Sequence, residues 1–499
     1  MNIGRWKISN RILLLWIVIF GILLRLYFEV GVIGSGDFPH IVYSYKASVG
    51  DLSLSIGDPQ TSARVGFVYP VALFYRLLGV SEFSAYLFSL IISLASILLI
   101  YHLGKLFFNK KIGLMAAFLL SFFPLNVNYA TQAYPDLAQA FFTGLAVYFF
   151  FLGEKGSKQF YQALWYLLTG LSIGVSVLTK ESGIIAFFFL GVFVFYKLIF
   201  RKERIRASYV LVFVGFAATV VFQLIHNFVV SGDMLLRYHM IDRVYYGAIG
   251  NLYNYTGFKL IERLFIHVPY LMLTNVNFGF FTVFLLMALV YVAVFRRKEA
   301  TAVSLWFITL FLYLNFGSTS LTSYVLLPGG TPRYLEMLTF PGLLLIAFFI
   351  SEEGPLVRKC IAPFAVVFLL LTSVAFIHLN PDRHALDAER ELSAFIGTLD
   401  KKPVYADAGT QAAISFFTGY KRDIRSFWKT NYPETGSTEL VRAENIEGAY
   451  VIVNKEYFGR IPENYKAARP GIYYNVPKDW VFIKHIGEKE GGIQVYYAP

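Results

Sequence analysis

The sequence predicts a polytopic α-helical membrane protein with a small α/β domain at its C-terminal end. Three observations predict it. Of 499 residues, 57% are hydrophobic and only 15% are charged, where a soluble domain carries about 25% charged residues. Apolar runs near the roughly 20 residues that a bilayer core requires recur from residue 12 to residue 378. Beyond about residue 381 the long runs stop, charge rises and short alternating segments take over. This excludes an ordinary soluble enzyme and a disordered chain. The single cysteine, Cys360, cannot form an internal disulfide and reads as packing at a helix edge.

The first run, Ile12 to Phe28, follows Arg5, Lys7 and Arg11, and no small-residue cleavage site comes after it. It reads as an uncleaved first helix with a cytoplasmic N-terminus. Further spans fall near 83–104, 112–128, 136–153, 161–178, 183–200, 208–230, 277–295, 302–317, 335–350 and 361–378, eleven in all. Basic clusters mark alternate connections: Lys105, Lys110 and Lys111; Lys155 and Lys158; Arg201, Lys202, Arg204 and Arg206; Arg296, Arg297 and Lys298; Arg358 and Lys359. This is the positive-inside pattern. It explains the net charge of +12 as topology rather than as a nucleic-acid footprint. An odd count puts the C-terminus outside the cytoplasm, and the expected location of the protein is the plasma membrane.

Residues 1–380 form the membrane domain on this reading. Residues 29–82 are a long first outer loop holding an amphipathic stretch, Phe67 to Leu78. Residues 381–499 form the soluble extracytoplasmic domain. There "ALDAERELSAFIGTL" (385–399) reads as an amphipathic helix. "KPVYAD" (402–407), "GAYVIVN" (448–454), "DWVFIKHI" (479–486) and "GIQVYYA" (492–498) read as strands. No internal repeat appears, which argues against a secondary transporter.

Ionisable groups at membrane depth are costly and are functional candidates by default. Several collect on the outer side. Asp37 opens the first outer loop, and His40 follows three residues later, so a helix there puts both on one face. Asp136 starts the fourth span, Lys180 and Glu181 lie in the turn of "LTKESG", and Arg333 lies in "GGTPRYLEM". His226, Asn227 and Asp233 close the seventh span. Plainer roles stand beside these. Asp136 after Pro135 fits a helix cap, Lys180 fits snorkelling to the headgroups, Arg333 fits ordinary lipid phosphate, and Glu181 fits a counter-ion of Lys180. Tyr43, Tyr45, Tyr69 and Tyr129 fit an interfacial aromatic belt or stacking on a sugar or prenyl chain.

With these residues in view, the chain resembles the GT-C superfamily of polytopic glycosyltransferases. More narrowly it resembles glycosyltransferase family 39, the dolichyl-phosphate-mannose–protein mannosyltransferase and aminoarabinose transferase group. The resemblance runs over about residues 10–350. It is carried by Asp37, by "GVSEFSAYLFSLIISLASILLIYHLGKLFF" (79–108), by "KIGLMAAFLLSFFPLNVNYATQAYPD" (111–136) ending at Asp136, by "LTKESG", by "VVSGDML" (229–235) and by "TPRYL". Phe38 stands where protein mannosyltransferases carry a second acid. The "WWD" triplet of oligosaccharyltransferases is absent from the sequence.

The resemblance implies a GT-C-like fold of about 11 transmembrane helices. It also implies transfer of one sugar, with inversion, from a polyprenyl phosphate donor to a hydroxyl acceptor outside the cytoplasm. That chemistry needs a base for the acceptor and positive charge for the departing phosphate. Asp37 is the expected base, and Lys180 and Arg333 are the expected phosphate ligands. Asp136 is expected to orient the acceptor or, with His40, to hold a divalent metal ion. His40, Glu181 and Tyr69 are further candidates for substrate or metal contact. A transporter or flippase of a lipid-linked glycan is the alternative reading of the same charges.

Overall fold

The computed structural model describes residues 9–34, 36–244, 255–318, 324, 326–327, 330–351, 356–430, 437–461, 470–487 and 491–499. Arg5 and Lys7, and the side chains of Arg358, Lys359 and Cys360, lie outside the described residues. The chain opens with α1 (Asn10–Tyr27) and continues into two helices of the first long connection, α2 (Phe38–Val49) and α3 (Val65–Leu78). Then come α4 (Glu82–Phe107), α5 (Lys110–Ser121), α6 (Pro124–Tyr129), α7 (Asp136–Lys155), α8 (Gln159–Thr179), α9 (Ile185–Phe200), α10 (Val210–Ser231) and α11 (Leu236–Asp242). After α12 (Gly257–Phe265) and α13 (His267–Thr274) follow α14 (Phe281–Val294), α15 (Thr301–Phe316), a 3-10 helix (Pro332–Leu338) leading into α16 (Thr339–Ser351), and α17 (Leu356–His378).

Among the described residues nine helical segments are long and apolar enough to cross a membrane. Two of the eleven expected spans differ. The segment expected at 112–128 is broken, because Pro124 cannot continue the helix that ends at Ser121 and instead opens α6. The segment expected at 277–295 is helical only over the 14 residues of α14. Local chemistry sets several ends. Ser81 and Ser84 form a reciprocal capping box at the start of α4, and Lys105 lies in its last turn.

The most enclosed span is Pro332–Ser351, 83% of it buried, while α1 and the α10 segment are only 17% buried and turn apolar side chains outward to lipid. Glycine permits a close crossing between α4 and α5. A Cβ on Gly104 would lie 2.5 Å from the Cα of Gly113.

The C-terminal region folds as α18 (Asp387–Thr398), β1 (Val404–Asp407), α19 (Ala408–Phe417), β2 (Ile424–Thr430), β3 (Ser437–Glu439), β4 (Ala449–Asn454), α20 (Lys455–Arg460), β5 (Val481–Ile486) and β6 (Ile493–Ala498). The sheet order is β3-β2-β1-β4-β6-β5. β1 runs parallel to both β2 and β4, and the other pairings are antiparallel. This sheet unit docks on the α2–α3 segment. Leu386, Ala413 and Phe416 join Phe38, Ile41, Phe67 and Tyr75 in one buried cluster. Arg390 reaches Glu82 at 2.8 Å.

Candidate functional site

Asp37 sits at the N-terminal end of α2, fully buried. One carboxylate oxygen accepts the backbone N–H of Ile33 at 2.7 Å. The other, Oδ1, is buried without a hydrogen-bond partner. Burial pushes this carboxyl up to about 7, against the backbone hydrogen bond from Ile33 and the field of Arg333, which both favour its charge. Gly36 has a steric reason: a Cβ there would fall 2.0 Å from the Tyr134 hydroxyl. One turn into α2, His40 is 2% exposed and packs edge-on against Phe67 and Tyr134. Burial, followed by the positive charges of Arg64, Arg333 and Lys180, holds its imidazole well below its ordinary range and hence neutral near pH 7.

Asp136 is the first residue of α7, and Pro135 rather than Asp136 occupies the cap position. The carboxylate is 3% exposed and faces two cations. Lys180 Nζ pairs with one oxygen, and Arg333 Nε lies 3.7 Å from the other. That Arg333 Nε makes no hydrogen bond. Arg333 also lies over the Tyr134 ring at 3.8 Å, and Lys180 over the Tyr334 ring at 3.8 Å. Two cations on one carboxylate leave a net positive site, with both bases held in place by aromatic faces.

The other expected residues separate from this centre. Glu181 does not neutralise Lys180. It turns the opposite way and binds Arg64 and Arg237, each at 2.9 Å. It is therefore engaged by two guanidinium groups and is not free for a metal. The Tyr69 hydroxyl is bonded to His226 Nε2 at 2.8 Å. Asp233 pairs with His239 at 2.6 Å in an exposed turn. A metal held by Asp136 and His40 does not fit. Among the described residues no three His, Cys, Asp or Glu side chains converge on a point, and Asp136 is already engaged by Lys180 and Arg333.

Sequence reasoning missed Arg64, Tyr134, Arg237 and Tyr334. It also missed Arg25 and Glu336, which lie inside apolar runs and are 0% and 2% exposed. The rule that flagged Asp136, an ionisable group at membrane depth, applies equally to these two.

A family model described as dolichyl-phosphate-mannose-protein mannosyltransferase matches residues 65–226. That range holds Asp136 and Lys180 but neither Asp37 nor Arg333. No curated protein matches the sequence. Among solved structures, the chain is similar to ArnT from Cupriavidus metallidurans in the apo state, with a TM-score of 0.59 at 13% identity over 96% of this chain and 97% of that one. The same protein bound to undecaprenyl phosphate gives 0.59 at 11% identity over 97% and 99%. The oligosaccharyltransferase of Archaeoglobus fulgidus in the apo form gives 0.56 at 13% identity, covering 85% of this chain. This chain spans 65% of the length of that archaeal enzyme. The chain thus has the fold of the GT-C glycosyltransferases.

Proposed function

We propose that this protein is an inverting glycosyltransferase that moves one sugar from a polyprenyl phosphate to a hydroxyl acceptor on the extracytoplasmic side of the membrane. On this reading the N-terminus is cytoplasmic and the C-terminal sheet unit, residues 381–499, lies outside. The carrying observation is the convergence of Lys180 and Arg333 on Asp136, which leaves more positive than negative charge in a buried site. A polyprenyl phosphate is the anion that a lipid-facing protein of this fold would meet there. Support also comes from the ArnT structure that holds undecaprenyl phosphate.

In the proposed step, Asp37 takes the proton of the acceptor hydroxyl. The acceptor oxygen then forms a bond to the anomeric carbon from the face opposite the phosphate. The bond from that carbon to the phosphate oxygen breaks, and its electron pair leaves with the phosphate. Lys180 and Arg333 stabilise the phosphate as its charge grows. Asp136 acts by holding these two cations in register rather than by touching the acceptor. Neutral His40 packs beside the base and keeps its surroundings dry. A base is most effective when its proton affinity lies near the working pH, and the Asp37 carboxyl, raised to about 7, meets that condition.

The experiment is incubation of the purified protein with a panel of polyprenyl-phosphate sugars, following loss of sugar from each lipid by mass spectrometry. Transfer from one of them supports the reading. Translocation of a sugar lipid across liposomes without any transfer replaces it with a flippase.

A further inference from the structure

A second buried charge system lies inside the helical core. Arg25, near the end of α1, is completely buried. Its guanidinium spends its donors on neutral acceptors. Nε donates to Ser93 Oγ at 2.6 Å, and Nη1 to the carbonyls of Gly21 and Ser121 at 3.0 and 2.9 Å. Nη2 donates to Asn126 Oδ1 at 2.6 Å and, at 3.5 Å, to the Leu120 carbonyl. Ser93 also donates to Asn126 Oδ1 at 2.6 Å. One cation therefore ties α1, α4, the end of α5 and α6 together. Gly21 leaves room for it, since a Cβ there would come within 3.2 Å of Arg25 Nη1.

The acid set against this cluster is Glu336, on the 3-10 helix Pro332–Leu338, which packs directly against α6 and so against the segment that carries Asn126. Glu336 is 2% exposed. Its Oε2 accepts from Thr339 Oγ1 at 2.8 Å, and its Oε1 has no hydrogen-bond partner. Glu336 lies on the 3-10 helix Pro332–Leu338, three residues after Arg333. In a 3-10 helix residues i and i+3 eclipse, so the position of one side chain fixes the depth of the other.

We propose that Arg25, Asn126 and Glu336 form a positioning network that sets where Arg333 meets Asp136. A buried charge set with single missing partners is costly, and a fully apolar packing would serve stability as well or better. What the charges supply is register, because the 3-10 helix that carries both Arg333 and Glu336 packs on α6 beside the Arg25 cluster. The inference rests on the phosphate reading of Arg333 for its consequence on donor binding, but not for its geometry.

The test uses the full-length protein in detergent. Arg25→Met or Glu336→Leu alone leaves an uncompensated charge and can fail to fold, so the variant of choice is the double substitution R25M/E336L, which removes both charges. Two readouts are taken. The first is binding of undecaprenyl phosphate, with Arg333→Ala as reference. The second is the non-additivity of the melting-temperature shifts of Asp136→Asn and Arg333→Gln, measured in the wild-type and in the R25M/E336L background. The network account expects a folded double variant with undecaprenyl phosphate affinity weakened roughly tenfold, the scale of lost positioning support. It also expects Asp136 and Arg333 to become additive. Wild-type affinity together with persistent coupling overturns it. If Arg333→Ala itself leaves binding unchanged, the phosphate reading fails, and the coupling readout alone decides the positioning role.

Discussion

Lys180 and Asp136 form a buried ion pair between the C-terminal end of α8 and the N-terminal end of α7, with side-chain exposures of 11% and 3%. The residue next to Lys180 makes the opposite choice, since Glu181 turns to Arg64 and Arg237. Two consecutive residues thus deliver a cation to one side and an anion to the other. The turn that does this is the short 3-10 helix following Lys180, in which the Gly183 N–H bonds back to the Lys180 carbonyl.

Removing the Asp136 carboxylate strands two cations. Asp136→Asn is expected to destabilise the protein by about 3–5 kcal/mol, the usual cost of breaking a buried pair. Replacing Asp136 by Asn together with Lys180 by Met should recover part of that loss. Chemical denaturation in detergent measures both, and equal stability of Asp136→Asn and wild type contradicts the pairing.

Asp37 gives a pH signature. Its carboxyl is raised from 3.8 to about 7, chiefly by burial. The folded protein therefore holds this proton more tightly than the unfolded chain, and the group's contribution to stability falls as pH rises from about 4 to about 7. Asp37→Asn removes that slope, so the variant should gain in melting temperature relative to wild type as pH increases through this window. The transfer rate of wild type should rise through pH 7 as the base ionises. A constant melting-temperature difference between the two proteins from pH 4 to pH 8 contradicts the assignment.

Glu181→Ala leaves Arg64 and Arg237 facing each other in a buried site. A loss of about 3 kcal/mol is expected. Arg390→Ala removes the half-buried bond to Glu82 and is expected to cost only about 1 kcal/mol. Thermal melts of the two variants should rank in that order.

Tyr420 stacks on Tyr45 of α2, with ring centroids 3.9 Å apart and planes 11° from parallel, and joins the sheet unit to the helix that carries Asp37 and His40. Its backbone φ is +57°, a conformation that glycine adopts freely. Tyr420→Ala loses the stacked ring but keeps the strain. Tyr420→Gly loses the ring and relieves the strain, and should be more stable than Tyr420→Ala by about 1 kcal/mol. The reverse order removes the strain argument.

The helical membrane part and four of the six strands are legible in the sequence, because long apolar runs and period-two alternation are local signals. β2 is not, for a stated reason. Phe427 and Trp428 are neighbours in sequence and both buried, 1% and 0% exposed, where the pairing with β1 slips at Ala406 and Asp407. An irregularity of this kind breaks the alternation that marks a strand. β3 has only three residues. The charged residues of the site are legible one by one, since each is an ionisable group in an apolar setting. Their pairing is not. Whether Lys180 meets Glu181 or Asp136 depends on how α7 and α8 approach, and no spacing in the sequence encodes that. Arg25 and Glu336 were readable by the same rule, Arg25 inside a long apolar run and Glu336 three residues after Arg333.

The most direct test of the central claim compares wild type with Asp37→Asn on a polyprenyl-phosphate sugar that wild type consumes, following single-turnover sugar loss and lipid-phosphate binding in the same preparation. The account predicts that the variant binds the donor with wild-type affinity and transfers essentially no sugar. Wild-type-like transfer by Asp37→Asn contradicts it.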